Sequence, residues 1–397
     1  MISGKSVALE RAPDASPGWM EGRRFAIVVG SLNLGGAERQ AVMLARHLAD
    51  AGSLVTVWGL ADPGGEAARL CEAGGIPWRH FPFRPPERRR DWAREFIAFA
   101  RVLRRERPDV LLPYYMLANT MCGLVWRLTG AQTCVWNQRG GGVHCWRRVE
   151  RIAARLTPCF VSNSTTGREF LNSEYGVQTD QIHLVPNGVE PPARRADRSS
   201  LRQAWKLPQS CFVACMVANL HEGKDHQTLI RAWRLVVHEL RGRGKDALLL
   251  LAGRPDSTRK ELQGLVDELR LDRTIRFLGT VTDVAGLLQC VDLCVFSSLR
   301  EGCPNGVLEG MAAGLAVVGT DIAGLHDAVG PAGGACLAPP KDEVAFARHV
   351  VTLALDPQLR HRLGELNRER VLTEFAPERM AARMSEIIGS QLTRRGS

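Results

Sequence analysis

Short apolar runs of buried-strand length recur along the chain, and amphipathic stretches separate them. The first run is RFAIVVG, Arg24–Gly30. Gly35 and Gly36 break the chain after it. A helix is predicted from near Ala37, with Val42, Leu44, Ala45 and Leu48 on one face and a stop at Gly52. LVTVWGL is the next strand, followed by Asp109–Tyr115, Thr133–Asn137 and Cys159–Ser164. Val185–Ser200 is rich in Pro, Ser and Arg, has no apolar period, and reads as the passage between two domains. The alternation then restarts with Cys211–Ala218, Ala247–Gly253, Thr274–Gly279, Val291–Ser298 and Leu315–Thr320. This pattern predicts an α/β protein of two Rossmann-like, doubly wound parallel sheets with a cleft between them. The predicted divisions are a disordered lead over 1–22, a first domain over 23–190, a linker over 191–202, a second domain over 203–376 and a last helix over 377–397. Met380, Met384, Ile387, Ile388 and Leu392 recur at helical spacing there, so that helix is expected to pack on another element.

Composition narrows the class. At 397 residues two cores are expected, and 45% hydrophobic with 24% charged residues is ordinary for a globular chain. No run approaches the roughly 20 apolar residues needed to span a bilayer. The first residues lack the apolar core of a secretion signal. The 11 cysteines form no CxxC pair, and Cys215, Cys290 and Cys294 lie in apolar runs. They read as reduced, buried thiols of a cytoplasmic protein, with no metal-ligand spacing.

The formal net charge is +10. Its densest patch, Arg84–Arg107, has nine arginines against four acids, which favours an anionic partner: a lipid headgroup, a nucleic acid or a phosphorylated substrate. A second basic segment, His144–Leu156, places Trp146, Val149, Ile152 and Ala153 at helical spacing with Arg147, Arg148, Arg151 and Arg155 elsewhere. That is the pattern of a helix lying on an anionic membrane.

In open α/β sheets, ligands bind beyond the carboxyl ends of the strands. Three loops qualify. In GSLNLGGAER, Gly35 and Gly36 allow close backbone approach before a helix N-terminus that offers free N–H groups. In ANLHEGKDHQTLI, Lys224 stands where a phosphate would meet the start of a helix, with Asp225 and His226 as helix-start residues. In EGCPNGVLEGMAAGLAVV, Glu301 sits on a loop after a strand, Pro304 stiffens the turn, and a helix starts at Asn305 or Gly306. Glu309 follows within the first turns of that helix. Carboxylates accept from sugar hydroxyls, and helix amides donate to phosphate.

This last stretch resembles the E-x7-E signature of retaining, nucleotide-sugar-dependent glycosyltransferases of family 4. The segments GGAER, VSNSTTGREFL, IHLVPNGVE, ANLHEGKDHQTLIRA, LLLLAG and IRFLGTVTDV follow in that family's order. The resemblance implies a GT-B fold: an acceptor-binding first domain, a nucleotide-sugar-binding second domain, and C-terminal helices packing back on the first. It implies that Glu301 lies against the donor sugar, Glu309 holds the donor ribose and Lys224 binds the donor diphosphate. Backbone at Cys303, Asn305 and Gly306 would wrap the donor sugar, and Gly35 and Gly36 would sit near the diphosphate and acceptor. Many members carry an arginine five residues before the lysine. Asn219 stands there in this chain, leaving Arg139 and Arg254 as cations that compensate.

The resemblance implies metal-independent transfer from a UDP- or GDP-sugar, with no further cofactor. The acceptor proton would pass to the leaving phosphate oxygen, and Glu301 would bind sugar hydroxyls instead of attacking. His221, in the Lys224 loop, and His144 are the alternative bases. The expected acceptor is a sugar or lipid-linked glycan of envelope or exopolysaccharide assembly, and the expected location is the cytoplasm, peripheral on the inner face of the membrane. A sugar-nucleotide epimerase would need further acid and base groups. A nucleic-acid binder is disfavoured by 6% aromatics and no recognition motif. A dinucleotide oxidoreductase would need G-x-G-x-x-G followed by an acid.

Overall fold

The computed structural model describes residues 18–33, 35–83, 89–141, 146–193, 197–333 and 336–393. The first half alternates β1 (Arg24–Val29), α1 (Gly36–Asp50), β2 (Leu54–Gly59), α2 (Glu66–Ala73), β3 (Trp78–His80), α3 (Arg89–Glu106), β4 (Val110–Pro113), α4 (Met116–Thr129), β5 (Thr133–Gln138), α5 (Arg147–Leu156), β6 (Cys159–Ser162), α6 (Thr165–Tyr175) and β7 (Ile182–Leu184). The second half runs α7 (Arg198–Ala204), β8 (Phe212–Val217), α8 (His226–Arg241), β9 (Ala247–Ala252), α9 (Arg259–Glu268), β10 (Ile275–Gly279), α10 (Val284–Gln289), β11 (Leu293–Phe296), α11 (Asn305–Ala312), β12 (Val317–Thr320), α12 (Ala323–Gly333), β13 (Leu337–Ala338), α13 (Glu343–Leu355), α14 (Pro357–Glu374) and α15 (Pro377–Thr393).

Two parallel sheets result, of order β3-β2-β1-β4-β5-β6-β7 and β10-β9-β8-β11-β12-β13. Strands this apolar need cover on both faces, which is what crossover helices provide. All six residues of β5 and of β9 are buried. The carboxyl ends of β1, β5, β8, β9 and β11 open on one cleft between the sheets. This is the doubly wound, two-domain architecture that the alternation predicts.

The last helix does cross back. Met380, Ala381, Met384, Ile387 and Ile388 of α15 are buried in the same core as Phe25 of β1 and Leu44 and Leu48 of α1. The amide of Val189 donates to the Phe375 carbonyl at 2.9 Å, which ties the passage between domains to the strap that leads into α15.

Three expectations need correction. Met20 falls inside the expected disordered lead, yet it is buried in the first core, and Trp19 stacks near Phe25. Residues 1–17 lie outside the described residues. The expected linker includes α7, whose Arg202 is buried and bonded to Asp292 and to the Cys290, Gln209 and Cys211 carbonyls. On α5 the buried face carries Glu150, Ala153 and Ala154, while Ile152 is 51% exposed among the arginines. The reason is a buried acid: Glu150 accepts from the Trp146 amide at 2.9 Å and from the Tyr175 hydroxyl at 3.1 Å. His144 and residues 84–88 of the first basic patch lie outside the described residues.

The crossing helix is a structural element of the first domain. Ile388→Ala, at a fully buried position, is expected to lower the unfolding free energy by about 2–5 kcal/mol. Equilibrium urea denaturation checks this; an unchanged midpoint would mean that α15 does not close that core.

Candidate active site

The cleft has a volume of about 840 Å³. Twelve of the residues singled out from the sequence line it, and His144 lies outside the described residues: Gly35, Gly36, Arg139, Asn219, His221, Lys224, Arg254, Glu301, Cys303, Asn305, Gly306 and Glu309.

β11 ends at Phe296, and the chain then turns into the loop that carries Glu301. Glu301 Oε1 lies 2.5 Å from Lys224 Nζ and 2.7 Å from the Ser298 hydroxyl. The lysine also stands over the Phe296 ring, 5.2 Å from its centroid. Two backbone contacts hold the loops together: Leu299 donates to the Gly223 carbonyl at 3.0 Å, and Ser298 donates to the Thr320 hydroxyl at 3.0 Å. Glu301 and Lys224 are 10% and 20% exposed through their side chains, so the pair meets solvent only from the cleft.

Pro304 precedes α11, whose first residue is Asn305. Gly306 is required there, since a Cβ would stand 2.1 Å from the Val217 carbonyl oxygen. Without side-chain bulk, α11 seats its N-terminus on the end of β8. Glu309 lies on the second turn, and its carboxylate is held at 2.6 Å by Arg39 of α1, across the cleft. Burial raises its carboxyl above the usual range, and Arg39 offsets only part of that rise.

Asn187, in the passage between domains, joins the two halves. Its amide nitrogen donates to the Cys303 carbonyl at 3.0 Å and to Asn305 Oδ1 at 2.7 Å. Its oxygen accepts from Arg139 at 2.8 Å and from Asn163 at 3.2 Å. Asn305 in turn donates to the Gly36 carbonyl at 3.3 Å. The N-termini of α1 and α11 therefore meet at the cleft, which concentrates positive dipole ends where an anion would sit.

The remaining expected residues divide. Arg139 is stacked over the Tyr114 ring at 4.5 Å and bonded to Asn187, so its guanidinium is already engaged. Burial lowers its pKa from the ordinary value. Arg254 is exposed, and its amide donates to Asn219 Oδ1 at 3.2 Å. Burial first, and Lys224 second, push the His221 imidazole down, which favours its neutral form. At the glycine pair, Glu38 reaches back to the Gly35 amide, as in one half of a capping box. The amide expected to face an anion is thus occupied by a carboxylate.

Two residues escaped the sequence reading. Asn187 had a signal in its Asn-Gly turn. Arg39 had a subtler one: a cation in the first turns of a helix opposes the dipole, so it implies an acidic partner from elsewhere. Among the described residues, no group of three or more His, Cys, Asp or Glu stands together to hold a metal.

Next to Lys224, His226 is 2% exposed and neither ring nitrogen has a hydrogen-bond partner among the described residues. Burial, with Lys224 and His221 adding to it, pushes its imidazole down to about 3. The unfolded chain takes up that proton near pH 6.5 and the folded chain does not. Stability is therefore complete above pH 6.5 and is lost as pH falls toward 3. In His226→Gln, the loss of unfolding free energy between pH 7 and pH 5 should be smaller than in the wild type by about 2 kcal/mol. Denaturation curves at the two pH values test this; parallel losses in both proteins would overturn it.

Comparison with known proteins places these features. The model for Glycosyltransferase Family 4 matches residues 34–192, and that for Glycosyl transferases group 1 matches residues 211–356. EpsD of Bacillus subtilis (strain 168) is 27% identical over 251 residues, 62% of this chain and 64% of that protein. The N-acetyl-alpha-D-glucosaminyl L-malate synthase of Bacillus anthracis is 28% identical over 193 residues, 49% of each chain. The chain thus spans less than two thirds of the length of either relative. Anabaena Alr3699/HepE, solved in complex with UDP-glucose, shares the fold with a TM-score of 0.80 at 19% identity, over 92% of this chain and 99% of that one.

Proposed function

Because the chain belongs to the group 1, family 4 glycosyltransferases, we propose that it moves a sugar from a nucleoside-diphosphate sugar to an acceptor hydroxyl, with retention. One observation carries the reading. Glu301 and Glu309 flank the N-terminus of α11 in a single cleft, with Lys224 2.5 Å from the first of them. A ligand with hydroxyls at both ends and a diphosphate between matches that order of acceptors and donors.

In this reaction the bond from the anomeric carbon to the phosphate oxygen breaks. The acceptor oxygen bonds to that carbon on the same face, and its proton passes to the departing phosphate oxygen. Lys224 and the amides of α11 stabilise the charge that develops there. Glu301 is bound to Lys224 and Ser298, which suits a group that positions sugar hydroxyls and not one that attacks carbon. Arg139, Tyr115 and Asn33 line the first-domain wall of the cleft, which supports that wall as the acceptor side.

The acceptor we propose is lipid-linked or part of a growing polysaccharide, met at an anionic membrane surface. The support is a basic face. Helices α3, α4 and α5 pack side by side. They expose Arg94, Arg101, Arg104, Arg105, Arg127, Arg147, Arg148, Arg151 and Arg155, together with Ile97, Leu128 and Ile152. Cations with a few exposed apolar side chains suit the headgroup layer. Among the described residues, no helix is long and apolar enough to cross a membrane.

Two measurements test these proposals. Lys224→Ala should lower kcat with a nucleotide sugar by about 10²–10³-fold, and Glu301→Gln should lower turnover in the same direction. Unchanged turnover in either would remove the role given to that residue. In flotation assays the chain should rise with vesicles containing phosphatidylglycerol and stay behind with purely zwitterionic ones. Failure to rise with either would end the membrane proposal.

A further inference from the structure

We propose that Arg39 is a diphosphate-binding residue, held on Glu309 until a nucleoside takes that carboxylate. The proposal rests on the donor-site reading above and extends it to a residue on the opposite wall of the cleft.

The cleft holds two cation–carboxylate pairs, Lys224 with Glu301 at 2.5 Å and Arg39 with Glu309 at 2.6 Å. Each acid is one that the donor's hydroxyls would use. A nucleoside-diphosphate sugar brings hydroxyl donors to both carboxylates, and its phosphate oxygens offer both cations new partners. Binding is then an exchange. Each carboxylate trades a cation for hydroxyls, and each cation trades a carboxylate for phosphate. No charged group is left unpaired in a poorly hydrated site, where an unpaired charge is costly.

Arg39 is placed for this trade. It stands one turn beyond Gly35, with its amide bonded to the Gly35 carbonyl at 3.1 Å. The neighbouring Gly36 carbonyl accepts from Asn305 at the N-terminus of α11, so Arg39 enters the cleft where the two helix N-termini meet. Its side chain is 39% exposed, against 15% for Glu309, so the guanidinium is the partner with room to move. Its planar fork matches phosphate oxygens. Of the two cations expected to compensate, Arg254 is exposed at the cleft and Arg139 is the less free. Arg139 is bonded to Asn187 and stacked on Tyr114. Position 219 supplies an amide whose oxygen already accepts from the Arg254 backbone.

The exchange has a signature that a merely structural ion pair lacks: it acts oppositely on ligands with and without phosphate. The full-length chain and its Arg39→Gln and Arg39→Lys variants would be titrated calorimetrically with UDP, GDP, uridine and guanosine. Arg39→Gln should weaken binding of the preferred nucleoside diphosphate by about 10- to 100-fold, the effect of losing one charge-assisted partner. The matching nucleoside should bind as well or more tightly, because Glu309 no longer has to be released. Arg39→Lys should fall between. Should Arg39→Gln not fold, Glu309→Gln decides, since it frees the guanidinium and should bind inorganic pyrophosphate more tightly than the wild type does. Parallel changes for nucleoside and nucleoside diphosphate, or no tightening of pyrophosphate, would overturn the proposal. A wild-type chain that binds neither nucleoside diphosphate would overturn the donor-site reading and this proposal with it.

Discussion

A carboxylate withdrawn from water must find a cation or a set of hydrogen-bond donors, and the rest of the cleft follows from that need. Glu301 and Glu309 are both largely buried, and each has a cation within 2.6 Å. Their partners come from different places. Lys224 belongs to the same half of the molecule as Glu301, so that pair locks two neighbouring loops. Arg39 belongs to the other half, so the second pair also sets how the halves face each other. On the proposed reading the acids are thereby structural and chemical at once, and a ligand that uses them has to replace what they hold.

The facing of the halves is fixed by more than one ion pair. A Cβ on Gly302 would stand 2.7 Å from the Gly140 Cα, so backbone meets backbone there and neither position tolerates a side chain. Asn187 fills all four of its amide hydrogen-bonding positions with partners from both halves. Thr165 of α6 bonds Asp327 of α12 through its hydroxyl at 2.8 Å and its amide at 3.2 Å. Gly140, Gly302 and Asn187 line the cleft, while α15 ties the chain end to the first core. Small polar contacts, unlike a large apolar interface, can be remade with modest cost, which on the proposed reading suits a cleft that admits a nucleotide sugar.

The sheets were legible because their strands are continuous apolar runs, and β5 and β9 are buried at every position. Three of the four edge strands were not: β3 and β7 have three residues each and β13 has two, too few to establish a period. Met20 looked like part of a polar lead because a single buried side chain leaves no periodic trace. Ile152 and Ala153, grouped by their spacing, part company in the structure because helical spacing reports which residues share a face, not which side of it is covered. The Glu301 and Glu309 loop was readable from local chemistry, since a strand end, a turn and a helix start lie within a dozen residues. Arg39 and Asn187 were harder for a physical reason. Their partners Glu309 and Asn305 are 270 and 118 positions away, so only the fold brings them together.

On the proposed reading, the same paired charges that hold the empty cleft also decide what enters it. A phosphate-bearing molecule without hydroxyls would take the cations and leave two largely buried carboxylates without countercharges. A free sugar would satisfy the carboxylates and leave Lys224 and Arg39 without anions. Each half-match costs more than it returns, because an unpaired charge in a low-dielectric site is penalised far more than a modest hydrogen bond rewards. Only a ligand that joins hydroxyls to a diphosphate at the right separation completes the exchange at both glutamates. Selectivity for the donor class then comes from the resting ion pairs themselves, ahead of any contact with the base or with the particular sugar.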